Sequence, residues 1–483
     1  MPDVRNVLEL FEQINRIPRC SGNEQQFADW LLRWAADHGM PSEQDEAGNV
    51  LIRVPATAGM ERATGVILQG HMDMVCEKTP ESTHNFQFDP IPPIVDGEWM
   101  HADETTLGAD NGIAIAIALA VVESGDPHPP LEILVTVDEE SGLTGAQKLA
   151  AGWLTGTHLL NIDSEDEGVF TVGCAGGRDT VLALKVDREP LPHVYHTREI
   201  AVTGLRGGHS GVDIHRGRAN ANRLLARTLT TLRGGSAERA AVHLVTIRGG
   251  NAHNAIPRDA AAIIAGPPES IDRLDCEIER IERVFAAEYG EIEPGLQVAV
   301  HTAARPADMI AEPSAHRLLD LIMSLPHGVV RMSSEVPNLV ETSTNLATVR
   351  LSNDELRIKT SQRSSFASRL AEIAGQVEAA GRLAGATVTS GSSYPPWEPH
   401  MESELLGRAA EAYQAAHGVE PVVEVVHAGL ECGVIGSKYP GMQMLSFGPT
   451  IQNAHTPAER LHLPSLSRVC AFIDELLASY RES

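Results

Sequence analysis

GVILQGHMDM, residues 65–74, is an apolar run that stops at His71, with Asp73 two positions further on. It reads as a short buried strand whose end carries polar side chains. The pattern returns twice. LEILVTV (131–137) stops at Asp138-Glu139-Glu140, and HLLNI (158–162) stops at Asp163. Residues 4–38 carry helical periodicity, and residues 111–124 form an Ala/Ile-rich helical stretch. Strands alternating with helices predict an α/β domain with a mostly parallel sheet. Ligands bind in such sheets at the crevice outside the carboxyl ends of the strands.

The character changes near residue 188. Strand patterns at 199–202, 242–248 and 260–265 mix with long helical ones at 219–232 and 270–289, in the order β-α-β-β-α-β. A comparable set follows residue 313: helix 315–323, strands 336–340, 347–351 and 355–361, helix 365–380 and strand 386–390. From residue 396 the α/β pattern returns. The expected organisation is a discontinuous catalytic domain (1–187 and 393–483) carrying an inserted α+β lid of two similar halves (188–392). A chain of 483 residues suits two or three domains.

Lys plus Arg number 38 against 65 Asp plus Glu, a net charge of −27. That field repels phosphate backbones, so no nucleic-acid partner is expected. No apolar run reaches the ~18–20 residues of a membrane helix. The N-terminus has no basic segment followed by an apolar one, so no secretory signal is expected. The cysteines, Cys20, Cys76, Cys174, Cys276, Cys432 and Cys470, form no C-x-x-C pair. Reduced thiols and a cytoplasmic location fit that usage.

The chemistry lies in HMDM (71–74), LGADNG (107–112), DEESG (138–142), NIDSE (161–165) and NAHTPAE (453–459). Each has an ordinary structural reading. Asp110 could be a helix N-cap, Glu139-Glu140 a solvated turn, His71 a satisfied strand-end histidine and Asp163 a turn residue. Together, imidazoles and carboxylates at successive strand ends converge on one crevice. His71, His455 and three carboxylates suit two borderline divalent ions, with one carboxylate bridging. A pair of ions ~3.5–4 Å apart can activate water and polarise a carbonyl.

This ordered set resembles the co-catalytic dizinc peptidase superfamily of aminoacylases, carboxypeptidases and dipeptidases. QGHMDMVCEK, LGADNGI, DEESGLTGA, NIDSEDEG, GCAGGRDT, GLRGGHSG and FGPTIQNAHTPAER resemble most its bacterial aminoacyl-histidine dipeptidase, or peptidase D, branch, over nearly the whole chain. The resemblance implies that His71 binds one zinc and His455 the other, that Asp110 bridges, and that Glu140 and Asp163 complete the two spheres. Asp73 would orient His71 from behind. Glu139 would be the general base, passing a proton from a metal-bridging hydroxide's parent water to the leaving amine. Manganese or cobalt could replace zinc.

The same resemblance gives His209, in GLRGGHSG, a substrate carbonyl or its oxyanion, from its own subunit or a neighbouring one. Asn251 would lie near the substrate carboxylate. Arg363 is the best candidate to hold that carboxylate, with an ordinary surface arginine as the alternative. Glu431, in HAGLECG, could pair with a dipeptide's free α-amine or merely cap a helix. The implied activity is metal-dependent hydrolysis of dipeptides, including Xaa-His dipeptides such as carnosine, by a homodimer. The rivals are a tripeptidase, carboxypeptidase or N-acyl amino acid deacylase of the same superfamily, and a non-catalytic scaffold.

Overall fold

In the computed structural model, which describes residues 2–233, 242–334 and 336–481, the first apolar run becomes strand Val66–His71, buried along its whole length. Parallel neighbours flank it: Leu131–Thr136 on one side and His158–Asn161 on the other. Gln443–Ser446, nearly 300 residues later in the chain, adds in parallel beyond His158–Asn161. Antiparallel strands close both edges of this eight-stranded sheet, giving the order Ser42–Gln44, Val50–Val54, Leu131–Thr136, Val66–His71, His158–Asn161, Gln443–Ser446, Val169–Cys174, Val422–Val426. The mixed sheet with a parallel centre is the architecture expected from the sequence. Its central strands are near-continuous apolar runs because both faces are covered.

The chain forms two compact units. One comprises Met1–Cys174, Trp397–Val425 and Leu430–Ser483, and the other Ala175–Pro396 with Val426–Gly429. The break falls before residue 187 because Gly176–Lys185 pairs along its length with Glu355–Ser364. In the first unit, helix Ala109–Ser124 is buried on nearly every side, which explains why it is apolar all round rather than amphipathic. The N-terminal periodicity is not one helix. Val4–Ile14 and Gln25–Asp37 are separate, and Pro18 and a left-handed Gly22 lie between them.

The second unit is built on one nine-stranded sheet. Strands His196–Thr203, His243–Gly249, Ala260–Gly266 and Gln297–Thr302, with helices Ala221–Arg233 and Leu274–Tyr289, make one β-α-β-β-α-β half. Gly176–Lys185, helix Glu312–Ser324, Val340–Ser352, Glu355–Ser364, helix Ala367–Leu383 and Thr387–Tyr394 make the other. In each half the sheet order, numbered by strand within that half, is 4-1-3-2. The halves join where His243–Gly249 meets Val340–Ser352. The strands expected at 336–340 and 347–351 are instead one strand, Val340–Ser352, and Gly328–Met332 pairs with its start. Polar Thr342–Asn345 hid that continuity, for they are buried although hydrophilic.

Candidate active site

His71 ends its strand with 1% of its surface exposed. Its Nε2 lies 3.2 Å from Asp110 Oδ1 and 3.4 Å from Asp163 Oδ1. The other oxygen of Asp110 is 3.0 Å from His455 Nε2, which is 2.9 Å from Glu140 Oε1. Asp110 thus stands between two imidazoles, shared by the triads His71–Asp110–Asp163 and Asp110–Glu140–His455. Glu139 joins His71 and Glu140 in a third group of converging ligand atoms.

Asp73 sets this geometry from below. Its backbone carbonyl is 3.0 Å from His71 Nδ1 and its Oδ1 is 3.4 Å away. That leaves Nε2 facing Asp110 and Asp163. The same carboxylate accepts the backbone N–H groups of Glu139 (3.0 Å) and Glu140 (3.2 Å) and the hydroxyl of Ser21 (2.7 Å). Asn111 donates to Asp163 Oδ1 at 2.8 Å and to the Ile162 carbonyl at 2.7 Å.

Two residues that sequence reading did not single out hold the Asp110 loop. Glu459, buried, accepts the backbone N–H groups of Leu107 (2.8 Å), Gly108 (3.0 Å), Ala109 (2.8 Å) and Asp110 (3.2 Å). These are the free donors at the start of helix Ala109–Ser124, where a carboxylate is electrostatically favoured. Arg19, fully buried, donates to the carbonyls of Met72 (3.0 Å), Asp73 (3.3 Å) and Gly108. Gly108 has φ +73, and a Cβ there would stand 2.5 Å from the Arg19 guanidinium. Arg19 opens a run in which Cys20 is disulfide-bonded to Cys76. That bond corrects the expectation of six reduced thiols: the spacing of 56 residues hides a pair that the fold brings together.

The charge balance fits bound cations. Asp73, Asp110, Glu139, Glu140 and Asp163 crowd around His71 and His455. Burial lifts the carboxyls of Glu139, Glu140 and Asp163 above their ordinary range. Burial would also lift Asp110, but His455 and His71 hold it well below. Hydrogen bonds to Asp110 and Glu140 push His455 up to about 11. Glu140 Oε1 is buried without a well-directed hydrogen bond. Mixed imidazole and carboxylate ligands around a shared carboxylate suit two divalent ions of the zinc class.

Glu431 is fully buried in the same unit. Gln69 Nε2 (2.6 Å) and Thr136 Oγ1 (2.7 Å) donate to its Oε2, and Oε1 has no partner. Burial pushes its carboxyl up to about 7.

In the second unit, His209 and Arg363 come together. A Cβ on Gly211 would lie 3.2 Å from both Arg363 Nε and His209 Cε1. His209 Nδ1 accepts the N–H groups of Gly211 (3.2 Å) and Val212 (3.1 Å), so its proton sits on Nε2. Burial, with the nearby Arg363 charge, brings its pKa down to about 4. Arg363 is 7% exposed and donates to Tyr394 Oη at 2.7 Å. Its Nε has no partner, and no ion pair forms on it among the described residues. It is therefore not an ordinary surface arginine. Asn251 is different: it is exposed, accepts from Arg350 at 3.1 Å, and makes no hydrogen bond to His209 or Arg363. It lines an open groove of about 670 Å³ with Arg248 and Arg350.

The chain is 39% identical over 470 residues to the cytosol non-specific dipeptidase of Escherichia coli (strain K12), covering 97% of this chain and 96% of the relative. Its fold superposes on the crystal structure of aminoacylhistidine dipeptidase from Vibrio alginolyticus with a TM-score of 0.89 at 39% identity, covering 99% and 97% of the two chains. A Staphylococcus aureus tripeptidase shares the fold at TM-score 0.59 and 17% identity, over the whole of both chains. The model of peptidase family M20/M25/M40 matches residues 67–479, and the chain belongs to that family.

Proposed function

We propose that the protein is a metal-dependent dipeptidase whose substrates include Xaa-His dipeptides. The observation that carries the reading is Asp110, with one oxygen toward His71 and the other toward His455. His71, Asp110 and Asp163 would hold one divalent ion, and Asp110, Glu140 and His455 the other. Zinc is the expected metal, with manganese or cobalt as substitutes. When bound, the ions supply charge that polarises the scissile carbonyl and acidifies water.

Glu139 takes the proton of the attacking water and returns it to the leaving amine. Its buried carboxyl, lifted well above the ordinary range, is suited to holding that proton. Asp73 fixes the tautomer and tilt of His71. His209, neutral and protonated on Nε2, is a donor for the oxyanion, within one subunit or across a homodimer. Arg363 pairs with the substrate carboxylate, supported by its burial without a carboxylate partner. Glu431 keeps one oxygen without a partner, which supports pairing with the substrate ammonium. Asn251 is the weakest of these assignments, because Arg350 already occupies it.

A cytoplasmic location follows the name of the Escherichia coli relative. Among the described residues no helix is long and apolar enough to cross a membrane. The test is hydrolysis of β-Ala-His, an α-dipeptide, a tripeptide and an N-acetyl amino acid by the zinc-loaded protein, with and without chelator. Chelator-sensitive cleavage confined to dipeptides is the expected result. Cleavage of the tripeptide or N-acetyl compound instead overturns the substrate class. Glu139→Gln should lower kcat by about 10²–10⁴-fold, and retained activity refutes its role as base.

A further inference from the structure

A cavity of about 350 Å³ in the second unit, whose lining includes neither His209 nor Arg363, is rich in basic side chains. Arg218, Arg223, Arg227, His215, His327 and Tyr289 contribute its polar side chains together with Asn220, and no Asp or Glu lines it. This is a cationic hollow in a chain whose net charge is −27.

The three arginines differ. Arg227 is paired in bidentate fashion with Glu288 at 2.7 Å. Arg218 reaches Asp213 at 3.3 Å. Arg223 forms no ion pair among the described residues, and its guanidinium donates only to the Leu325 carbonyl, at 2.8 Å. Next to it, His327 Nδ1 faces Asn220 Nδ2 (3.3 Å) and the backbone N–H of Leu346 (3.4 Å), both donors. The imidazole proton therefore sits on Nε2. Burial, and then the Arg223 charge, bring the His327 pKa down to about 4, so the ring stays a neutral donor. Asn220 precedes helix Ala221–Arg233 and caps it, its Oδ1 accepting the Arg223 N–H at 3.2 Å, and Arg223 and Leu224 of the first turn line the cavity. Of the three guanidinium groups here, that of Arg223 alone has no carboxylate partner among the described residues.

We propose that this cavity is a binding site for a small phosphate monoester, and that its occupancy is transmitted to His209. Arg223 and the Nε2–H of His327 would grip the phosphate oxygens, and the volume leaves room for an organic group beyond a bare phosphate. The route to His209 is short. Arg218 lines the cavity and also donates to the Gly207 carbonyl. Its partner Asp213 accepts the backbone N–H of His209 at 2.9 Å through its second oxygen. An anion that draws Arg218 inward takes it from Asp213 and Gly207, on either side of His209. Asp213 keeps Arg216 at 3.0 Å, so it remains charged and the turn shifts without being lost. The second half of the proposal rests on the reading of His209 as an oxyanion donor.

The experiment is calorimetric titration of the metal-loaded protein with glycerol 3-phosphate and, separately, with inorganic phosphate, beside Arg223→Gln and Arg223→Lys. Phosphate bound at the metals is common to all three proteins, so only the Arg223-dependent heat is read. The expected result is an additional site in the wild type that Arg223→Gln weakens about tenfold or more, and Arg223→Lys less. Glycerol 3-phosphate should bind more tightly than inorganic phosphate. Equal titrations in wild type and Arg223→Gln overturn the site, and equal Arg223-dependent affinity for the two ligands reduces it to a phosphate site and overturns the monoester assignment. Dipeptide hydrolysis with saturating glycerol 3-phosphate should show a change in kcat that is absent in Arg223→Gln. Binding without that change overturns the coupling. His209→Ala, assayed without effector, tests the oxyanion reading separately: an unchanged kcat there removes that reading and leaves the binding site standing.

Discussion

Replacing Glu459 by Gln tests whether the catalytic cradle is built as described. The carboxylate accepts four backbone N–H groups, two on each oxygen, at 2.8–3.2 Å. An amide has one acceptor oxygen, and its NH₂ would face two of those donors. Each buried donor left without a partner costs about 1–3 kcal/mol, so two orphaned N–H groups cost about 2–6 kcal/mol before relaxation. Domains are stable by only about 5–15 kcal/mol in total. At about 2–4 °C per kcal/mol, the melting temperature of the first unit should fall by at least about 4 °C. The N–H of Asp110 is one of the four donors, and Glu459 stands four residues after His455, so the change also disturbs the loops that carry Asp110 and His455. A misplacement near 1 Å can cost about 10²-fold in rate. The assay pairs thermal melts with and without chelator against kcat and zinc stoichiometry. Glu459→Asp keeps the charge and should fall between Gln and wild type. A Gln variant that melts within a degree of wild type, binds zinc equally and keeps kcat within twofold refutes the argument.

Cutting the Cys20–Cys76 bridge by Cys76→Ser should lower stability by about 2–4 kcal/mol, read by urea unfolding, because the bond closes a loop of 56 residues. Addition of a thiol reductant should move the wild type toward the variant and leave the variant unchanged. Arg363→Lys should raise KM for dipeptides about tenfold or more with a smaller effect on kcat, since a point charge replaces a bidentate fork. The same variant should leave an amidated dipeptide unaffected, and an equal loss on both substrates counts against carboxylate recognition. Acid should destabilise the second unit early. His209 and His327 are held down to about 4 and His427 to about 3, each by burial first and by a nearby arginine. Between their ordinary 6.5 and those values the unfolded chain binds protons that the native one does not, so stability is complete above pH 6.5 and declines below it. Circular dichroism against pH should show this loss, and His327→Gln should flatten it.

Much of the candidate site was legible because its side chains sit where periodicity changes. His71, Glu139, Glu140 and Asp163 lie just past apolar runs, and a sheet brings such ends together whatever the sequence distance. Arg19 and Glu459 were not legible for the opposite reason. Their partners are backbone groups, and a backbone donor leaves no mark in the sequence. Glu459 carried a faint signal, a carboxylate four residues after His455, and Arg19 only its place beside Pro18. The polar stretch 342–345 misled because buried Thr, Ser and Asn satisfy each other across strands, as Thr342 does with Ser364 at 3.0 Å. The helical pattern at 4–38 misled because periodicity survives on either side of a break. That break is where Arg19, Cys20 and Ser21 reach the site.

The spacing of the motifs then has a physical account. Two adjacent glutamates can serve different purposes only if the turn that carries them is fixed, and Asp73 fixes it. One carboxylate accepts the backbone N–H of Glu139 on one oxygen and that of Glu140 on the other, while lying 3.4 Å from His71 Nδ1. Asp138, just before them, takes the left-handed conformation, and Leu143 just after them does so again. The short helical turn Glu139–Gly142 is therefore held at its start by a side chain from the neighbouring strand end. Glu140 reaches His455 at 2.9 Å, and Glu139 remains beside His71 without a cationic partner of its own. A carboxylate in that position, buried and free of a salt bridge, takes a proton more readily than one paired with cations, and burial does lift the Glu139 carboxyl well above the ordinary range. Asp73→Asn keeps the bulk and one acceptor but removes the charge behind His71. It orphans one of the two N–H groups, at about 1–3 kcal/mol, and should lower kcat by more than that loss of stability explains. An Asp73→Asn protein that loses stability in proportion to its activity would show that the carboxylate acts only as a brace for the turn.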